Sequence, residues 1–478
     1  MDDNGGEQER NWLSRRGSKA LTPFSPYIEA VKKAKASEWS LGNPDGFFLM
    51  ARAENTLSFE LIHKKMNGST SRGINEGMLY MLFSLVFSMI GWQVLPFTNL
   101  ILLECRETPI TVGLYSDFRG GERLCRAIAR MMERTFMGVE VNSTNLCISS
   151  GVTAVLDLFF FATCDQGDGC LIPAPYFPAF DNDMQIRNEV IPLPVQPKDT
   201  NTYIPTIEEM EGTMVAAAER GIKAKVLLIT NPGNPLGTLY PESTLKELLV
   251  WAVNHGLHVL SDEIYANSKF GPSTDEFVSI EQVAQAAVAQ NLVSAEDVKN
   301  LVHTAYGMSK DFGMNGFRVG CLHTKCEELL TFWQNMGMFA AVSNDTQHAL
   351  AVMLEDDEFV DSYVSENKRR LKKSYELLTS HLEAAQVKYM PACAAMFCWL
   401  DLRTLLEVPT FQAEDNLWKE IMEVTKIVLT PGGACHYAEP GFFRACYASM
   451  SPDCLEVACA RLADFVTRKR RKRKANGI

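Results

Sequence analysis

Leu301-Val-His-Thr-Ala305 leads directly into Tyr306-Gly-Met-Ser309-Lys310-Asp-Phe-Gly-Met-Asn-Gly-Phe-Arg318-Val-Gly320, and the reading of this stretch decides the fold. The first five residues are a short, mostly apolar run, which predicts a buried strand. The strand opens into a serine- and glycine-bearing loop that carries one lysine, with an arginine eight residues later. A lysine fixed at a strand end condenses with an aldehyde cofactor, and serves as nucleophile or base where its surroundings lower its pKa. The arginine offers a planar fork that matches a phosphate. A Ser-Lys pair alone carries little information; the whole string carries much more.

Four further segments follow the same logic. Residues 142–150 end in a strand-like run, followed by Gly151-Val152-Thr153 and an apolar stretch to Ala162. Strand, glycine turn and helix N-terminus make a cradle for an anion, with backbone N–H groups and a threonine hydroxyl facing it. Val226-Leu-Leu-Ile-Thr230 runs into Asn231-Pro-Gly-Asn234-Pro-Leu-Gly237, a strand followed by turn residues. Leu257-His-Val-Leu-Ser261 delivers Asp262-Glu-Ile-Tyr265, and an aspartate at a buried strand end can keep a pyridine nitrogen protonated. Pro173-Ala-Pro-Tyr176-Phe177-Pro offers a stacking aromatic, Phe177 in preference to Tyr176. Each piece alone reads equally well as a turn, a core aromatic or a solvated acid; five pieces in this order do not.

The set resembles the class I and II aminotransferases, the type I fold of pyridoxal 5′-phosphate (PLP) enzymes. The resemblance implies an α/β architecture: a large domain with a mostly parallel, seven-stranded-type sheet flanked by helices, and a smaller α+β domain. It implies that Lys310 holds the cofactor, Asp262 faces the ring nitrogen, and Asn234 and Tyr265 bond the phenolic oxygen. Phe177 would stack on the ring, and Gly151, Val152, Thr153, Ser309 and Arg318 would hold the phosphate. Lys310, Asp262 and Tyr265 are the catalytic candidates; no metal set is expected.

Three blocks narrow the resemblance to the 1-aminocyclopropane-1-carboxylate (ACC) synthase branch. They are Ala53-Glu54-Asn55-Thr-Leu-Ser-Phe59, Phe397-Cys-Trp-Leu-Asp-Leu-Arg403, and Pro431-Gly-Gly-Ala-Cys-His436 with Glu439-Pro-Gly-Phe-Phe-Arg444. Arg444 matches the arginine that clamps the substrate carboxylate. Glu54 matches an acid beside the substrate, where a carboxylate favours a sulfonium. Tyr27, in Ser25-Pro-Tyr-Ile-Glu29, matches a substrate tyrosine. Departures are visible too. Phe118 stands where the family has a tyrosine that reaches the neighbouring subunit's cofactor phosphate. Gly307 replaces a serine, Cys393 an asparagine and Ala395 a glycine.

The resemblance runs from about residue 27 to 466, except for the segment Gly77–Leu103, which contains no charged residue. Its length suits a bilayer of roughly 30 Å. Gly91, Gln93, Pro96, Thr98 and Asn99 weaken its second half as a membrane helix. A membrane anchor, a core helix and non-native coding sequence such as a retained intron are the three readings, with the last preferred. Composition fits a large soluble enzyme: 478 residues, 46% apolar, net charge −12. That charge argues against general nucleic-acid affinity. The thirteen cysteines lack paired metal-ligand spacing, and no N-terminal apolar signal is visible, so reduced thiols in a cytoplasmic protein are expected.

The expected organisation is a disordered stretch 1–26, an N-terminal arm 27–65 contributing to the small domain, the atypical apolar insert 66–112, the PLP-binding domain 116–340, the small domain 350–466 and a basic tail 467–478. A run of seven basic residues, Arg468–Lys474, reads as a solvated, disordered end in preference to a nuclear signal or a tether. A homodimer with a shared active site and an amino-acid substrate is implied. The favoured activity is conversion of S-adenosylmethionine to ACC and methylthioadenosine. Transamination and cysteine-conjugate C–S β-lysis are the alternatives, and an inactive binding module is the outside one.

Overall fold

The computed structural model describes residues 26–66, 115–273 and 275–475. Residues 1–25 and the apolar segment Gly77–Leu103 lie outside them, so the expectations made for both fall outside the described residues. Seven strands build the larger sheet: β1 (Leu146–Ser149), β2 (Gly169–Pro173), β3 (Ile191–Val195), β4 (Ala224–Thr230), β5 (His258–Asp262), β6 (Val302–Gly307) and β7 (Gly320–Thr324). Their order is β1-β7-β6-β5-β4-β2-β3. The run β3-β2-β4-β5-β6 is parallel, and β7 lies antiparallel between β6 and β1. The expected mostly parallel sheet is therefore present.

The strands read as nearly unbroken apolar runs because both faces are covered. Along β4 and β5, Val226, Leu228 and Leu260 pack on the side of the helix Val152–Thr163. Leu227, Ile229 and Val259 point the other way, onto the helices Ile207–Glu219, Glu242–Asn254 and Ile280–Ala289. This is the two-residue period of a strand. The apolar side of the second of those helices is Leu245, Leu248, Leu249 and Ala252, all buried. The long helix Asp357–Ala384 starts where the Asp356 side chain caps it, accepting from Phe359 N–H at 3.0 Å.

A second, antiparallel sheet contains β8 (Lys388–Met390), β9 (Phe397–Asp401), β10 (Thr430–Pro431) and β11 (Phe442–Cys446), in the order β10-β11-β9-β8. The N-terminal arm is stitched to this part. Phe48 N–H donates to Lys426 O at 2.8 Å, Val428 N–H to Phe48 O at 3.0 Å, and Cys446 N–H to Met50 O at 2.7 Å.

One expectation is overturned. The basic run is not a free end: through its described part it continues the helix Pro452–Ala475. Arg470 Nη1 donates to the Ala385 carbonyl at 2.6 Å, at the C-terminus of the long helix, and Arg473 reaches Leu405 O at 3.4 Å. Cations suit a helix C-terminus, where carbonyls lack intrahelical donors. Among the described residues, no helix is long and apolar enough to cross a membrane.

Topology sets the site. Thr230, Asp262 and Ala305 are register neighbours at the C-terminal ends of β4, β5 and β6. Ser149 and Gly307 both pair with Gly320 at the start of β7. Asp262 and the loops carrying Gly151, Asn234, Lys310 and Arg318 thus lie at the same edge of the sheet, where ligands bind in open α/β folds.

Candidate active site

Lys310 follows β6 and is half-buried, its Nζ donating to the Ala53 carbonyl at 2.7 Å. Burial lowers its ammonium to about 8; the Arg444 cation adds to this, while Cys446, Glu54 and Asp262 oppose it. Asp262, 5% exposed, ends β5. Burial pushes its carboxyl up to about 7, against a bond from Ile264 N–H at 3.3 Å and the charge of Lys310. Lysine and aspartate are therefore both shifted towards their neutral forms, and they sit close enough to feel each other's charge.

Tyr265 is buried, edge-on to Phe397. Its hydroxyl is 3.5 Å from Asn234 Nδ2, a long contact. Asn234 Oδ1 accepts from Arg444 Nη1 at 2.9 Å, so one amide links the tyrosine to the arginine. Arg444 is 1% exposed. Its Nη2 donates to Ala51 O at 2.8 Å and Thr430 Oγ1 at 3.1 Å, and the guanidinium lies 4.5 Å over the Phe397 ring. Its Nε is buried and has no partner among the described residues, an unmet donor that a ligand carboxylate would satisfy.

At the phosphate end, Gly151 sits at φ 90° just before the helix Val152–Thr163, whose first N–H groups have no intrahelical acceptor. Arg318 is exposed and left-handed at φ 53°. Its Nη1 donates to Asn315 O at 2.9 Å, and its guanidinium lies against the glycine. A Cβ at 151 would stand 2.5 Å from Arg318 Nη2. Thr153 is exposed in the first helical turn, and Ser309 is buried beside Lys310.

The remaining candidates lie around this centre. Phe177 is half-buried, edge-on to Phe180 at 5.4 Å. The Tyr176 ring is stacked on His436 at 4.5 Å, and its hydroxyl donates to Asp181 at 2.9 Å. Glu54 is close enough to raise the Lys310 pKa, yet its carboxylate is bonded to Arg52, which also reaches Glu38 at 3.2 Å. Tyr27 lines a cleft of about 400 Å³ with Pro178, Glu414, Trp418, Pro431 and His436. Burial raises its phenol pKa, and Arg444 pulls it back.

Sequence reasoning missed Asp183, on the helix Phe180–Gln185. It is pushed up to about 8 by burial and by the charge of Asp262. Within the polar run Asp181-Asn-Asp183 nothing distinguishes it. The carbonyls of Ala51 and Ala53 were equally invisible, because a backbone acceptor leaves no residue signature. Two departures have local explanations. A side chain at Gly307 would press on Val152 Cγ2 and Val319 O, each 3.0 Å from its Cβ, so a serine there would require these neighbours to give way slightly. Ala395 keeps the left-handed backbone of the glycine it replaces, at φ 58°.

The family model for aminotransferase class I and II matches residues 101–462. The chain belongs to the class I and II aminotransferase family. Among its relatives, an ACC synthase of Nicotiana tabacum is 33% identical over 469 residues, covering 97% of this chain and 88% of the relative. ACC synthase 8 of Arabidopsis thaliana is 35% identical over 427 residues, covering 89% and 84%. The fold is that of aspartate aminotransferases. The Thermotoga maritima structure gives a TM-score of 0.69 at 23% identity over 95% of this chain and all of that one. The Thermus thermophilus enzyme with maleate also gives 0.69, at 19% identity over 95% and 99%.

Aminotransferases of this family are PLP-dependent, and this site fits the cofactor. The glycine at 151 lets the Arg318 guanidinium approach a helix N-terminus closely, and both features suit an anion. Asp262 is a buried acid whose side chain, among the described residues, has one backbone donor and no cationic hydrogen-bond partner, a deficit that a protonated ring nitrogen would meet.

Proposed function

We propose that this enzyme is ACC synthase-like and converts S-adenosylmethionine to ACC and methylthioadenosine, acting as a homodimer in the cytoplasm. The observation that carries the reading is Glu54 next to Ala53, whose carbonyl accepts from Lys310 Nζ at 2.7 Å, within a chain that resembles ACC synthases over 97% of its length. A carboxylate there gives a sulfonium-bearing side chain a favourable charge partner, weakened but not abolished by Arg52. The twelve described cysteines are all free thiols, which suits a reducing compartment.

PLP, when bound, supplies an electron sink for negative charge at the substrate Cα. Arg444 fixes the substrate carboxylate through its Nε and Nη donors, with Asn234 holding the guanidinium plane. Asp262 keeps a proton at the ring nitrogen, and its burial strengthens that pairing. Lys310 Nζ, with a pKa lowered to about 8, is partly neutral near pH 7 and takes the Cα proton. The Cα–Cγ bond then forms as the Cγ–S bond breaks, and the electron pair neutralises the sulfonium sulfur, which leaves as methylthioadenosine.

The test is a product assay of PLP-loaded protein fed S-adenosylmethionine. Equal amounts of ACC and methylthioadenosine support the reading. A keto acid formed from an ordinary amino acid, without those products, would move the protein to the aminotransferases. Pyruvate and a thiol from a cysteine conjugate would move it to the lyases. A protein that takes up no PLP would be a binding module.

A further inference from the structure

Lys310 is followed by a buried acid that the mechanism above does not use. Asp311 is 2% exposed. Its Oδ2 accepts from Asn267 N–H at 2.9 Å and from the Tyr306 hydroxyl at 3.1 Å. Asn267 belongs to the single turn Ala266–Ser268 that immediately follows Tyr265. The Asp311 carboxylate therefore ties the lysine loop to the turn that carries Tyr265.

The backbone of the same residue is held from a different direction. The Asp311 carbonyl accepts from the Tyr363 hydroxyl and from Asn367 Nδ2, each at 3.2 Å; both donors stand on the long helix Asp357–Ala384. Asn367, 1% exposed, accepts in turn at Oδ1 from Asn55 Nδ2 at 2.8 Å. Asn55 Nδ2 also faces the Lys310 carbonyl at 3.4 Å. The arm and the lysine loop touch closely: Gly313 lies at φ 62°, and a Cβ there would stand 2.5 Å from the Asn55 carbonyl. Asn55 follows Glu54, and Ala53 supplies the oxygen that accepts from Lys310 Nζ.

We propose that Asp311, Asn367 and Asn55 are positioning residues of a single node, which fixes the Lys310 loop against the Tyr265 turn on one side and the Ala53–Glu54 arm on the other. None of the three reaches the reacting atoms. Each acts by keeping Lys310 Nζ, the Tyr265 hydroxyl and the Glu54 carboxylate in a fixed mutual geometry, the precision that a bound ring and substrate require. The inference rests on Lys310 being the lysine that holds PLP.

The test uses full-length, PLP-loaded protein and three readouts: the visible band of the lysine-bound cofactor, the rate of PLP release on dilution, and stability in urea. Asp311→Ala and Asn55→Ala should each speed PLP release roughly three- to tenfold and alter the band, because contacts within one network couple at that scale. The double variant should fall short of the product of the two effects. Asp311→Asn, which keeps an accepting oxygen for Asn267 and Tyr306, should restore most of the band and retention. If Asp311→Ala does not fold, Asn55→Ala and Asn367→Ala serve as the pair, with the same shortfall expected. Folded variants that lose urea stability but keep the wild-type band and release rate would overturn the proposal, as would effects that multiply independently. Lys310→Ala separates the two levels: a visible band that survives this change would remove the parent reading, whatever the other variants show.

Discussion

Replacing Asp262 by asparagine should stabilise the cofactor-free protein at neutral pH and weaken its response to PLP. Burial raises the Asp262 carboxyl from an ordinary 3.8 to about 7. A carboxyl whose folded pKa is raised binds its proton more tightly folded than unfolded. Its contribution is therefore whole below the unfolded value of 3.8 and is lost as the pH climbs to about 7. At about 1.36 kcal/mol for each pH unit between the two values, the full loss is about 4 kcal/mol. The amide has no such loss. Cofactor-free Asp262→Asn should be more stable than wild type by an amount that grows by roughly 3 kcal/mol between pH 5 and pH 8, then levels off. Urea unfolding of both proteins across that range measures it. Saturating PLP should reverse the order, because only the aspartate can pair with a cationic ring nitrogen. Parallel stability curves for the cofactor-free proteins, or an equal PLP-induced gain in both, would refute the reasoning.

Three further outcomes are expected. Gly151→Ala puts an alanine on a backbone at φ 90° and pushes the Arg318 guanidinium aside; the strain should cost about 1–3 kcal/mol of stability, read by urea unfolding, and PLP affinity should fall, read by cofactor titration. Glu54→Gln should raise KM for S-adenosylmethionine roughly tenfold, about 1.4 kcal/mol, and leave PLP binding unchanged, as steady-state kinetics and cofactor titration would report. Ala395→Gly relieves a left-handed alanine at φ 58° and should stabilise the protein by up to about 1 kcal/mol, measured by urea midpoint.

Much of this arrangement is legible in the sequence because it is local. Four of the five motif segments join a strand-like run to its own loop. Their apolar runs and turn residues survive as β1, β4, β5 and β6 with the loops beyond them, while Pro173–Pro178, read only for its aromatic ring, starts at the end of β2. Lys310 and Asp262 stand out because each closely follows a buried apolar run, and Arg318 because it follows the lysine by eight residues in the same loop. Arg444 is legible as a residue, but its bond to Asn234, 210 positions earlier in the chain, is not. Asp311, Asn367 and Asn55 are in the same position, since the node joins three distant segments and uses backbone carbonyls as acceptors. The basic run 468–474 misleads because composition reports charge and not acceptors. The carbonyls of Ala385 and Leu405 that hold its arginines are supplied by the fold.

The central claim is that Lys310 removes the Cα proton of S-adenosylmethionine and that the resulting charge closes a cyclopropane. Turnover of S-adenosylmethionine deuterated at Cα tests it most directly. The account predicts one ACC and one methylthioadenosine per substrate consumed, loss of the Cα deuterium, a primary isotope effect on kcat/KM, and no turnover by Lys310→Ala. Loss of the deuterium without methylthioadenosine, or ACC formation that persists in Lys310→Ala, would contradict it.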